Sequence, residues 1–448
     1  MKRYDSYKPT GLKWFSEIPI GWEWRFLSQV AHEQNIKKPA GEMYPVMTLS
    51  YGEIKRKANI DAGLVPSNYD NYQMLYRGNI VLRLIDLQND HTSLRTGLVK
   101  ETGIITSAYT CIAPIENAAY VRYLLHSYDT RKVFYGYGGG VRQSIGYKDI
   151  RHLQVPVPPR EEQDQIVRYL DWQVSKINRL IAAKRKQISV LQEQHKHCIS
   201  DAVLHGIVED AVHKDSGVEW IGAIPEHWSA IRCKYVFTER DERSVAGEEE
   251  HLSMSQKYGL VPDSKLDERR MLSESYAGGK ICYKDDLVLN RLKAHLGVFA
   301  LSPQKGVISP DYTVLVPNTE RILPAYGEAV LKSDLCRREL RIRVRGIIEG
   351  FWRLYTDDFN TIVIPLPPLK EQEQIMEYLS TLNGKFTALK QNLEREISTL
   401  QDLRTRLISD VVTGQVDVRD IEVPEYESFE DVSSDDDESE GTEEQEEE

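Results

Sequence analysis

The stretch that decides the fold occurs twice in this chain, as PVPPREEQDQIVRYL at residues 156–170 and as PLPPLKEQEQIMEYL at residues 365–379. Over the 48 positions that begin at the first proline of each copy, 19 residues are identical. A second repeat lies upstream, since GLKWFSEIPIGW at residues 11–22 returns as GVEWIGAIPEHW at residues 217–228. Internal similarity at a spacing of about 200 residues predicts a duplicated domain plan.

Short apolar segments recur between these anchors, and the turn-forming residues around them predict β-strands. The matching segments are 63–66 with 259–262, 81–82 with 288–289, 105 with 308, and 109–110 with 312–313. Their spacing varies, so the copies differ by insertions in the connecting loops. A shared framework with different loops is typical of two domains that recognise different targets in the same way. A duplication retained only for stability is the alternative.

A heptad pattern follows each Pro-Pro pair and predicts a long coiled-coil helix. Proline is favoured at a helix start because its φ is fixed and first-turn N–H groups are unpaired anyway. Gly206 and Gly414 follow the predicted ends. Each helix, beginning at Glu161 in the first copy, has about 42 residues and a length of roughly 63 Å. The seam positions are Leu170, Val174, Ile177, Ile181, Lys184, Ile188, Leu191, His195, Cys198 and Ala202, then Leu379, Asn383, Phe386, Lys390, Leu393, Ile397, Leu400, Arg404, Leu407 and Val411.

We expect the two helices to pair antiparallel, because the link from Gly206 to Gly217 reaches at most ~40 Å and cannot return the chain along the first helix. The predicted fold class is α+β, with two similar strand-rich α/β globular domains separated by two long antiparallel coiled-coil helices in a pseudo-twofold internal repeat. The predicted boundaries are 1–155 for the first domain, 156–208 for the first helical region, 209–364 for the second domain, 365–420 for the second helical region and 421–448 for an acidic tail.

Five seam positions carry polar side chains: Lys184, His195, Asn383, Lys390 and Arg404. Polar seam residues fix the register of two helices at some cost in stability. Contact with a partner subunit is the alternative. The sequence HKHC at residues 195–198 contains metal-ligating residue types, but no further ligand cluster accompanies it, so we expect no metal on this chain.

Negative charge is concentrated at the C-terminal end of the 448-residue sequence. Residues 422–448 contain 15 Asp and Glu and no Lys or Arg, and the remainder balances 57 basic against 54 acidic residues. A weakly basic body is compatible with nucleic-acid binding. Fifteen like charges with few apolar neighbours predict a disordered, solvated tail. A tail that mimics DNA phosphates and competes for a basic face is the alternative.

The sequence contains no evident signal peptide or membrane span, since it lacks apolar runs of the ~7–15 or ~18 residues that these need. The five cysteines are scattered without a CxxC pair, which argues against a disulfide framework and a structural zinc site. We therefore expect a cytoplasmic protein whose cysteines are reduced and mostly packed.

We find no catalytic signature that fits its context. The glycine-rich GYGGG at residues 136–140 lacks the Gly-Lys-Ser/Thr of a phosphate-binding loop. The sequence has no HExxH, no GxSxG and no Asn/Asp-Pro-Pro-aromatic tetrapeptide of the kind that holds a flipped adenine. The chain is therefore predicted to recognise a ligand and not to catalyse a reaction, and an enzyme in its own right is the third hypothesis.

Two similar domains joined by rigid helices fit a ligand with two sites at a fixed separation, and duplex DNA presents equivalent faces every ~34 Å. Arg and Lys contact guanine or phosphate, and Asn and Gln contact adenine. The predicted contacts in the first domain are Lys55, Arg56 and Lys57 on an inserted loop between Tyr51 and Gly63, then Arg83, then Arg142 and Gln143. Those in the second domain are Lys280, Asn290, Arg291, Lys293, Arg345, Trp352 and Arg353. For any one of them, an ordinary solvated side chain is the alternative.

The doubled order of Trp-x3-Ile-Pro-x2-Trp, a strand-rich region and Pro-Pro-x2-Glu-Gln-x2-Ile before a long helix resembles the specificity (S) subunit of type I restriction-modification systems. The resemblance covers about residues 10–420 and is carried most specifically by Glu162-Gln163 and Glu371-Gln372. It implies two target recognition domains that each recognise one half of a split double-stranded DNA sequence. It also implies that the helical regions set the distance between the halves.

The same resemblance implies partners. These are two methyltransferase (M) subunits, which bind S-adenosylmethionine and methylate adenine, and restriction (R) subunits that use ATP and Mg. No cofactor is expected on this chain. The alternative is a stand-alone two-headed DNA-binding or scaffold protein that dimerises through its helices. The acidic tail after Ile421 is not part of the family pattern.

Overall fold

The computed structural model describes residues 2–12, 14–57, 69–85, 87, 94–137, 145–208, 210–255, 258–265, 276–346 and 352–429. The chain forms two compact units, which we call unit 1 (Met1–Arg185 with Glu394–Glu448) and unit 2 (Lys186–Leu393). Each unit contains one strand-rich domain, domain 1 or domain 2, together with segments of both long helices. The predicted domain boundaries stay a prediction, since the two units divide each long helix between them.

Domain 1 is built on a four-stranded antiparallel sheet. Its elements are β1 (Tyr7–Pro9), β2 (Glu17–Pro19), β3 (Glu23–Phe26), α1 (Leu27–Val30), β4 (Ala31–Glu33), β5 (Met47–Ser50), β6 (Glu53–Arg56), β7 (Gln73–Leu75), β8 (Ile80–Leu82), β9 (Thr96–Leu98), β10 (Gly103–Ile105), β11 (Thr110–Pro114), α2 (Ala118–Thr130), α3 (Tyr147–Ile150) and β12 (Gln154–Val157). The long helix α4 (Arg160–His205) follows. The sheet has the order β4-β11-β8-β9, and the remaining strands form the pairs β1-β2, β3-β12, β5-β6 and β7-β10.

Domain 2 has the same topology, strand for strand. Its elements are β13 (His213–Asp215), β14 (Ala223–Pro225), β15 (Ser229–Arg232), β16 (Phe237–Arg240), β17 (Leu252–Ser255), β18 (Gly259–Pro262), β19 (Lys280–Cys282), β20 (Leu287–Asn290), β21 (Phe299–Leu301), β22 (Gly306–Ile308), β23 (Tyr312–Pro317), α5 (Pro324–Lys332), α6 (Asp334–Arg343), α7 (Thr356–Asn360) and β24 (Val363–Leu366). The long helix α8 (Leu369–Val412) follows. The four-stranded order β16-β23-β20-β21 and the pairs β13-β14, β15-β24, β17-β18 and β19-β22 confirm the internal repeat.

The central strands β8 and β20 are buried on both faces because each separates two apolar clusters. Ile80 and Leu82 of β8 belong to the large core under α2, whereas Val81 faces a smaller cluster under the β5-β6 hairpin. The residues of β20 alternate between two clusters in the same way. Side chains of a strand point alternately to its two faces, so a continuous apolar run fills both clusters. The predicted strand at residues 63–66 lies outside the described residues.

The two long helices begin and end close to the predicted points. Helix α4 has 46 residues and α8 has 44, so both are slightly longer than predicted. Gly206 and Gly414 have φ of +88° and +72°. Positive φ is the usual conformation just after a helix, and glycine adopts it without the strain that a Cβ causes.

Within unit 1 the two helices pack antiparallel. Lys184 Nζ of α4 lies 2.6 Å from Glu396 Oε2 of α8, and Arg404 donates a 2.6 Å hydrogen bond to Asn178 Oδ1. Residue numbers thus rise along α4 as they fall along α8. In unit 2, His195 Nε2 lies 2.7 Å from Asn383 Oδ1, and its ring stacks on Phe386. These polar seam side chains contact the opposite helix, as the register interpretation requires.

One predicted seam position is wrong. Cys198 is exposed, whereas Ile199 packs against the core of unit 2. A straight α-helix has 3.6 residues per turn and drifts by about 20° per heptad from a 3.5-residue repeat, so the buried stripe moves by one position toward the helix end. The other four cysteines, at positions 111, 233, 282 and 336, are buried as predicted.

A buried tyrosine connects each domain to both long helices. The Tyr120 hydroxyl lies 2.9 Å from the Pro156 carbonyl, which precedes α4, and 3.2 Å from the Val412 carbonyl at the end of α8. Tyr326 makes the equivalent bonds in unit 2, 2.9 Å to the Val203 carbonyl and 3.3 Å to the Pro365 carbonyl. Each hydroxyl therefore joins the start of one helix to the end of the other.

The glutamine of the repeated Glu-Gln pair explains that motif. Gln163 donates to the Pro158 carbonyl at 3.0 Å and accepts from the Asn117 backbone N–H at 3.1 Å, at the residue that caps α2. Gln372 donates to the Pro367 carbonyl at 2.8 Å and accepts from Leu323 N at 2.7 Å, at the cap of α5. A helix start leaves backbone N–H groups unpaired, and these amides pair one of them in each domain.

The repeated Ile-Pro-x2-Trp segment meets the glycine that follows a helix. In unit 1, Trp22 Nε1 donates a 3.0 Å hydrogen bond to Glu162, and its ring lies beside Gly414. In unit 2, the ring of Trp228 lies beside Gly206. A Cβ at Gly414 would collide with Pro19, so glycine is required there for space as well as for backbone conformation.

The first part of the acidic tail is packed, which differs from the predicted disorder after Ile421. Residues 418–429, which we call the strap, lie along α4. Gln165 Nε2 donates to the carbonyls of Val418 and Ile421 at 3.0 and 2.6 Å. At the other end, Phe429 N donates to Ser175 Oγ at 2.7 Å. Ile421 and Val423 pack against the core of unit 1, and this apolar contact offsets the cost of ordering the strap.

Replacing Gly414 with Ala is expected to destabilise the protein by about 2 kcal/mol or more, because alanine is strained at positive φ and its Cβ meets Pro19. Gly384 is the matched control. It lies inside α8 with open space around it, so Gly384→Ala should stabilise by up to ~1 kcal/mol. Thermal unfolding midpoints measure both effects, and equal shifts would contradict this account of Gly414.

His126 is expected to make stability fall as the pH drops below about 6.5. Burial on α2, followed by the charges of Arg122 and Arg404, lowers the pKa of its imidazole from 6.5 to about 3. The folded protein therefore keeps the ring neutral while the unfolded chain takes up a proton. The stabilising contribution is complete above pH 6.5, and about 2 kcal/mol of it is lost by pH 5. Denaturant unfolding at both pH values should show a smaller loss for His126→Gln; an equal loss refutes the assignment.

Candidate nucleic-acid interface

The first predicted cluster lies on a hairpin and not on a loop. Lys55 and Arg56 belong to β6, which pairs with β5 through a two-residue turn at Tyr51 and Gly52. Both turn residues have positive φ, +44° and +81°, as in the type I′ turns that suit the twist of a hairpin. The exposed Tyr51 at this tip was not among the predicted residues. An aromatic residue beside Gly in a tight turn was the available signal.

The hairpin cations are paired with carboxylates. Arg56 Nε lies 2.7 Å from Glu101 Oε1, and this hydrogen bond lowers the pKa of the Glu101 carboxyl. Lys55 Nζ lies 3.6 Å from Glu53. Lys57 donates its backbone N–H to the Val46 carbonyl. Arg56 is exposed, so a phosphate could replace Glu101 as its partner, and the bidentate geometry suits both anions.

Arg83 directly follows β8, and a buried arginine holds its backbone. Arg95 is fully buried, and its NH1 donates to the carbonyls of Arg83 and Ile85 at 3.0 and 2.8 Å. The Arg95 backbone N–H in turn donates to Asp129 Oδ2 of α2 at 2.7 Å. Arg95 therefore fixes the chain from which the Arg83 side chain projects. Sequence reasoning missed Arg95 because no local pattern separates a buried arginine from an exposed one.

In domain 2 the equivalent position holds a turn of polar residues after β20. Asn290 Oδ1 accepts from the backbone N–H groups of Leu292 and Lys293 at 3.0 and 3.3 Å, so it shapes the turn. Arg291 Nε donates to Thr313 Oγ1 at 2.8 Å, and its NH2 lies 3.6 Å from Glu239. Lys293 is exposed.

The structure brings a second group of predicted residues to this turn. Leu354 N donates to the Arg291 carbonyl at 3.0 Å, and Arg345 and Arg353 exchange backbone hydrogen bonds of 2.9 and 2.8 Å. Backbone hydrogen bonds thus bring the segment that contains Arg345 and Arg353 next to Arg291, and Trp352 precedes Arg353 in that segment. The Arg345 guanidinium pairs with Asp358, and Arg353 is exposed.

Domain 1 has the same connection. Ile145 N donates to the Leu84 carbonyl at 2.9 Å, as Leu354 does to Arg291 in domain 2. The segment that returns at Ile145 carries the predicted contacts Arg142 and Gln143, which lie outside the described residues. Among the described residues, Arg83 of domain 1 and Asn290 with Arg291 of domain 2 therefore lie at the same structural position, the end of β8 or β20.

Lys280 does not lie on the surface where we predicted it. Only 1% of the residue is exposed, and its ammonium lies 3.1 Å from Glu239 and 3.4 Å from Asp241. A buried lysine requires such partners because an unpaired charge inside a protein is costly. Since Glu239 also approaches Arg291, Lys280 belongs to the support beneath this turn and does not face a ligand directly.

Unit 2 also contains a cavity of about 480 Å³. It lies between α5 and both long helices, and its lining includes Ala329, Met376 and Ser380. The residue equivalent to Ala329 is Tyr123, whose hydroxyl donates a 2.7 Å hydrogen bond to Asp171, the equivalent of Ser380. The smaller side chains of unit 2 explain the open space.

The described part of the chain gives little support for metal binding or for membrane insertion. Among those residues no group of three or more His, Cys, Asp or Glu is arranged to hold a metal ion. None of the helices in the described part of the chain is both long enough and apolar enough to cross a bilayer. What the cationic turns can do is donate hydrogen bonds to phosphate and to base edges.

Comparison with known sequences places these features in a family. A match to the family described as the type I restriction modification DNA specificity domain covers residues 19–190 and 257–399, more than half of the chain. The chain belongs to this family. The two matched segments fall in the two copies of the repeat, so the family match covers part of each copy.

Two relatives come from Methanocaldococcus jannaschii. The chain is 24% identical over 319 residues to the type I restriction enzyme MjaX specificity subunit, covering 67% of this chain and 68% of that protein. It is 24% identical over 290 residues to the MjaVIII specificity subunit, covering 62% and 65%. The chain thus spans about two thirds of the length of both relatives.

A solved structure has a similar fold. It comes from work on the complex assembly and conformational transition of the type I R-M system, and it superposes with a TM-score of 0.63 at 16% identity. The match covers 89% of this chain and 99% of that chain. The α+β fold class with two similar domains and long helices is therefore confirmed.

Replacing Lys55, Arg56 and Lys57 with Ala is expected to flatten the salt dependence of DNA binding. Each phosphate contact contributes ~0.9 to the slope of log K against log salt, so the slope should fall by up to about 2.7. Fluorescence anisotropy between about 50 and 200 mM salt measures this. Arg160→Ala is the control, since Arg160 is an exposed arginine paired with Asp164 on α4. An unchanged slope in the triple variant would exclude the hairpin from the interface.

Proposed function

We propose that this chain is the DNA sequence-specificity subunit of a type I restriction-modification complex. In this proposal each domain recognises one half of a bipartite double-stranded DNA target. The observation that carries the proposal is the repeated arrangement at the ends of β8 and β20, where two domains of one topology present cationic side chains on equivalent turns. Family membership and the names of the relatives support the same assignment.

The direct contacts that we propose are with the exposed members of the predicted set. Arg353 and Lys293 in domain 2 are exposed, and Arg56 in domain 1 is exposed although it is paired with Glu101. Arg and Lys at such positions bind phosphate or the O6 and N7 atoms of guanine. Asn290 is assigned to shaping the turn, because its side-chain oxygen already accepts two backbone hydrogen bonds.

We assign no catalytic role to this chain. The reaction in this proposal is adenine methylation by two methyltransferase subunits, which bind S-adenosylmethionine, and DNA cleavage by restriction subunits, which use ATP and Mg. This chain would supply the target sequence and the docking platform. The alternative, a stand-alone two-headed DNA-binding or scaffold protein, differs in needing no catalytic partner.

The assignment is tested by adding the partner methyltransferase to the purified chain. The complex should methylate adenine at one bipartite sequence, which sequencing of modified bases in a host genome would identify, and the chain alone should bind DNA weakly. Tight, specific binding by the isolated chain without methylation in the complex would favour the stand-alone protein. Methylation by the isolated chain would show that it is an enzyme.

Lengthening a long helix is expected to change the spacer and not the half-sites. Insertion of four residues after Ala182 adds about 6 Å of helix, equivalent to one or two base pairs. The methylated sequence should keep both half-sites and gain that many unspecified bases. Four Ala residues inserted in the exposed segment around Met43 serve as the length-matched control and should leave the spacer unchanged. Altered half-site bases would contradict the assigned role of the helices.

Exchange of residues 1–155 for the same domain of a relative is expected to change one half-site only, because domain 1 has its own cationic turn and its core packs on the ends of the long helices that both copies provide. Base-resolved methylation sequencing measures the outcome. Replacement of both half-sites, or of neither, would contradict the assignment of one half-site to each domain.

A further inference from the structure

A glutamate in the first turn of each long helix has different partners in the two units. In unit 1, Glu162 Oε1 accepts hydrogen bonds from Trp22 Nε1 at 3.0 Å and from the Tyr4 hydroxyl at 2.5 Å. The Tyr4 ring is buried and meets the Trp22 ring edge-on, with the centroids 5.9 Å apart. Burial and the hydrogen bond to Glu162 raise the pKa of the Tyr4 phenol, so the hydroxyl stays protonated and donates. A tyrosine therefore completes this junction in unit 1.

In unit 2 the equivalent glutamate and tryptophan are Glu371 and Trp228, but an aspartate replaces the tyrosine. The pairing of β1 with β2 and of β13 with β14 places Asp210 at the position of Tyr4, and Asp210 is exposed. Glu371 Oε2 instead lies 2.7 Å from His227 Nε2. Trp228 Nε1 is buried and has no hydrogen-bond partner. An indole N–H in this state costs stability, because folding has removed it from water.

A pocket of about 510 Å³ lies at this place in unit 2, and its lining includes Gly206 and Glu371. A Cβ at Gly206 would lie 3.2 Å from the Trp228 ring and 3.7 Å from Glu371 Oε1, so the indole and the carboxylate approach the same point. Val208 and Val212 also line the pocket, and they are 59% and 70% exposed. Exposed apolar side chains grouped around a concave site favour contact with another protein.

We propose that the pocket beside Glu371 and Trp228 binds a tyrosine side chain presented by another protein chain. The phenol would lie where Tyr4 lies in unit 1, with its hydroxyl donating to Glu371 Oε1. A carboxylate oxygen accepts more than one hydrogen bond, as Glu162 does, and the second oxygen remains available to His227. With the carboxylate in the position of Glu162, Oε1 also accepts from Trp228 Nε1. One ligand would thus complete two hydrogen bonds.

A free small phenol would make the same contacts, but it would lack the backbone amides on either side of a tyrosine. A pocket that holds only solvent would leave the Trp228 indole unpaired whatever is added. Three probes separate these cases. N-acetyl-tyrosinamide has the hydroxyl and both amides, N-acetyl-phenylalaninamide lacks only the hydroxyl, and p-cresol lacks the amides.

The experiment follows indole N–H signals by NMR in the full chain, isotope-labelled at the tryptophan indole nitrogen. Trp228→Phe and Trp22→Phe assign the two signals. A hydrogen bond to a carboxylate should move the Trp228 signal downfield, toward that of Trp22, which already has this bond. The Trp22 signal is the internal control, because Tyr4 fills its site. Glu371→Gln weakens the acceptor, and Glu373→Gln, an exposed carboxylate near it on α8, is the matched control.

N-acetyl-tyrosinamide should bind with a Kd of about 1 mM, the affinity expected from burying one aromatic ring and forming one hydrogen bond to a charged group. It should shift the Trp228 signal and leave the Trp22 signal in place, and p-cresol should do the same. Loss of the hydroxyl in N-acetyl-phenylalaninamide, or of the charge in Glu371→Gln, should weaken binding by roughly tenfold. Glu373→Gln should leave the affinity unchanged.

Binding of p-cresol without binding of N-acetyl-tyrosinamide would assign the pocket to a small phenol and overturn the tyrosine. An unmoved Trp228 signal with every probe overturns the site itself. Equal affinity for the tyrosine and phenylalanine probes, or for the protein with and without Glu371→Gln, overturns the role of the carboxylate.

Discussion

The attachment of each domain to both long helices is the constraint on which the rest of the structure depends. Tyr120 and Tyr326 place one buried hydroxyl between the start of one helix and the end of the other. Gln163 and Gln372 add a second connection, from the helix start to the capping residue of a domain helix. Because these groups are buried, losing either partner leaves a polar atom without compensation, at a cost of about 1–3 kcal/mol each. Buried hydrogen bonds therefore fix each domain to the ends of the long helices, in addition to the covalent links through loops.

Much of this could be predicted from the sequence, because the same constraint acts twice and leaves identical residues at both places. The proline pair, the Glu-Gln pair and the glycine after each helix are the residues that the junction requires, and the heptad pattern marks the surfaces that pack. The burial of Lys280 and Arg95 could not be predicted, since it depends on carboxylates and carbonyls far away in the sequence. The strap was missed because the charge of residues 422–448 obscured the apolar spacing of Ile421, Val423 and Phe429.

The candidate interface combines buried, paired charges with exposed side chains on the turns above them. Buried charges lie beneath each turn, where Arg95 holds the backbone of Arg83 and Lys280 holds Glu239 near Arg291. The residues that face solvent, such as Arg353 and Lys293, come from segments that differ between the two domains. Rigid support under variable tips is the arrangement that lets one fold recognise different sequences, since contacts to bases need side chains held in place before binding.

The replacement of Tyr123 and Asp171 by Ala329 and Ser380 has an evolutionary consequence. The two copies are no longer interchangeable on the side that meets the helices: a phenol ring that completes the junction in unit 1 has no counterpart in unit 2, where about 480 Å³ stays open. Domain 2 in the place of domain 1 would leave a void beside Asp171, whereas domain 1 in the place of domain 2 would bring the Tyr123 hydroxyl to a site without its carboxylate partner. New specificities that arise by recombination should therefore keep each domain in its original half of the gene. Moving a domain to the other half would require compensating changes on the helices.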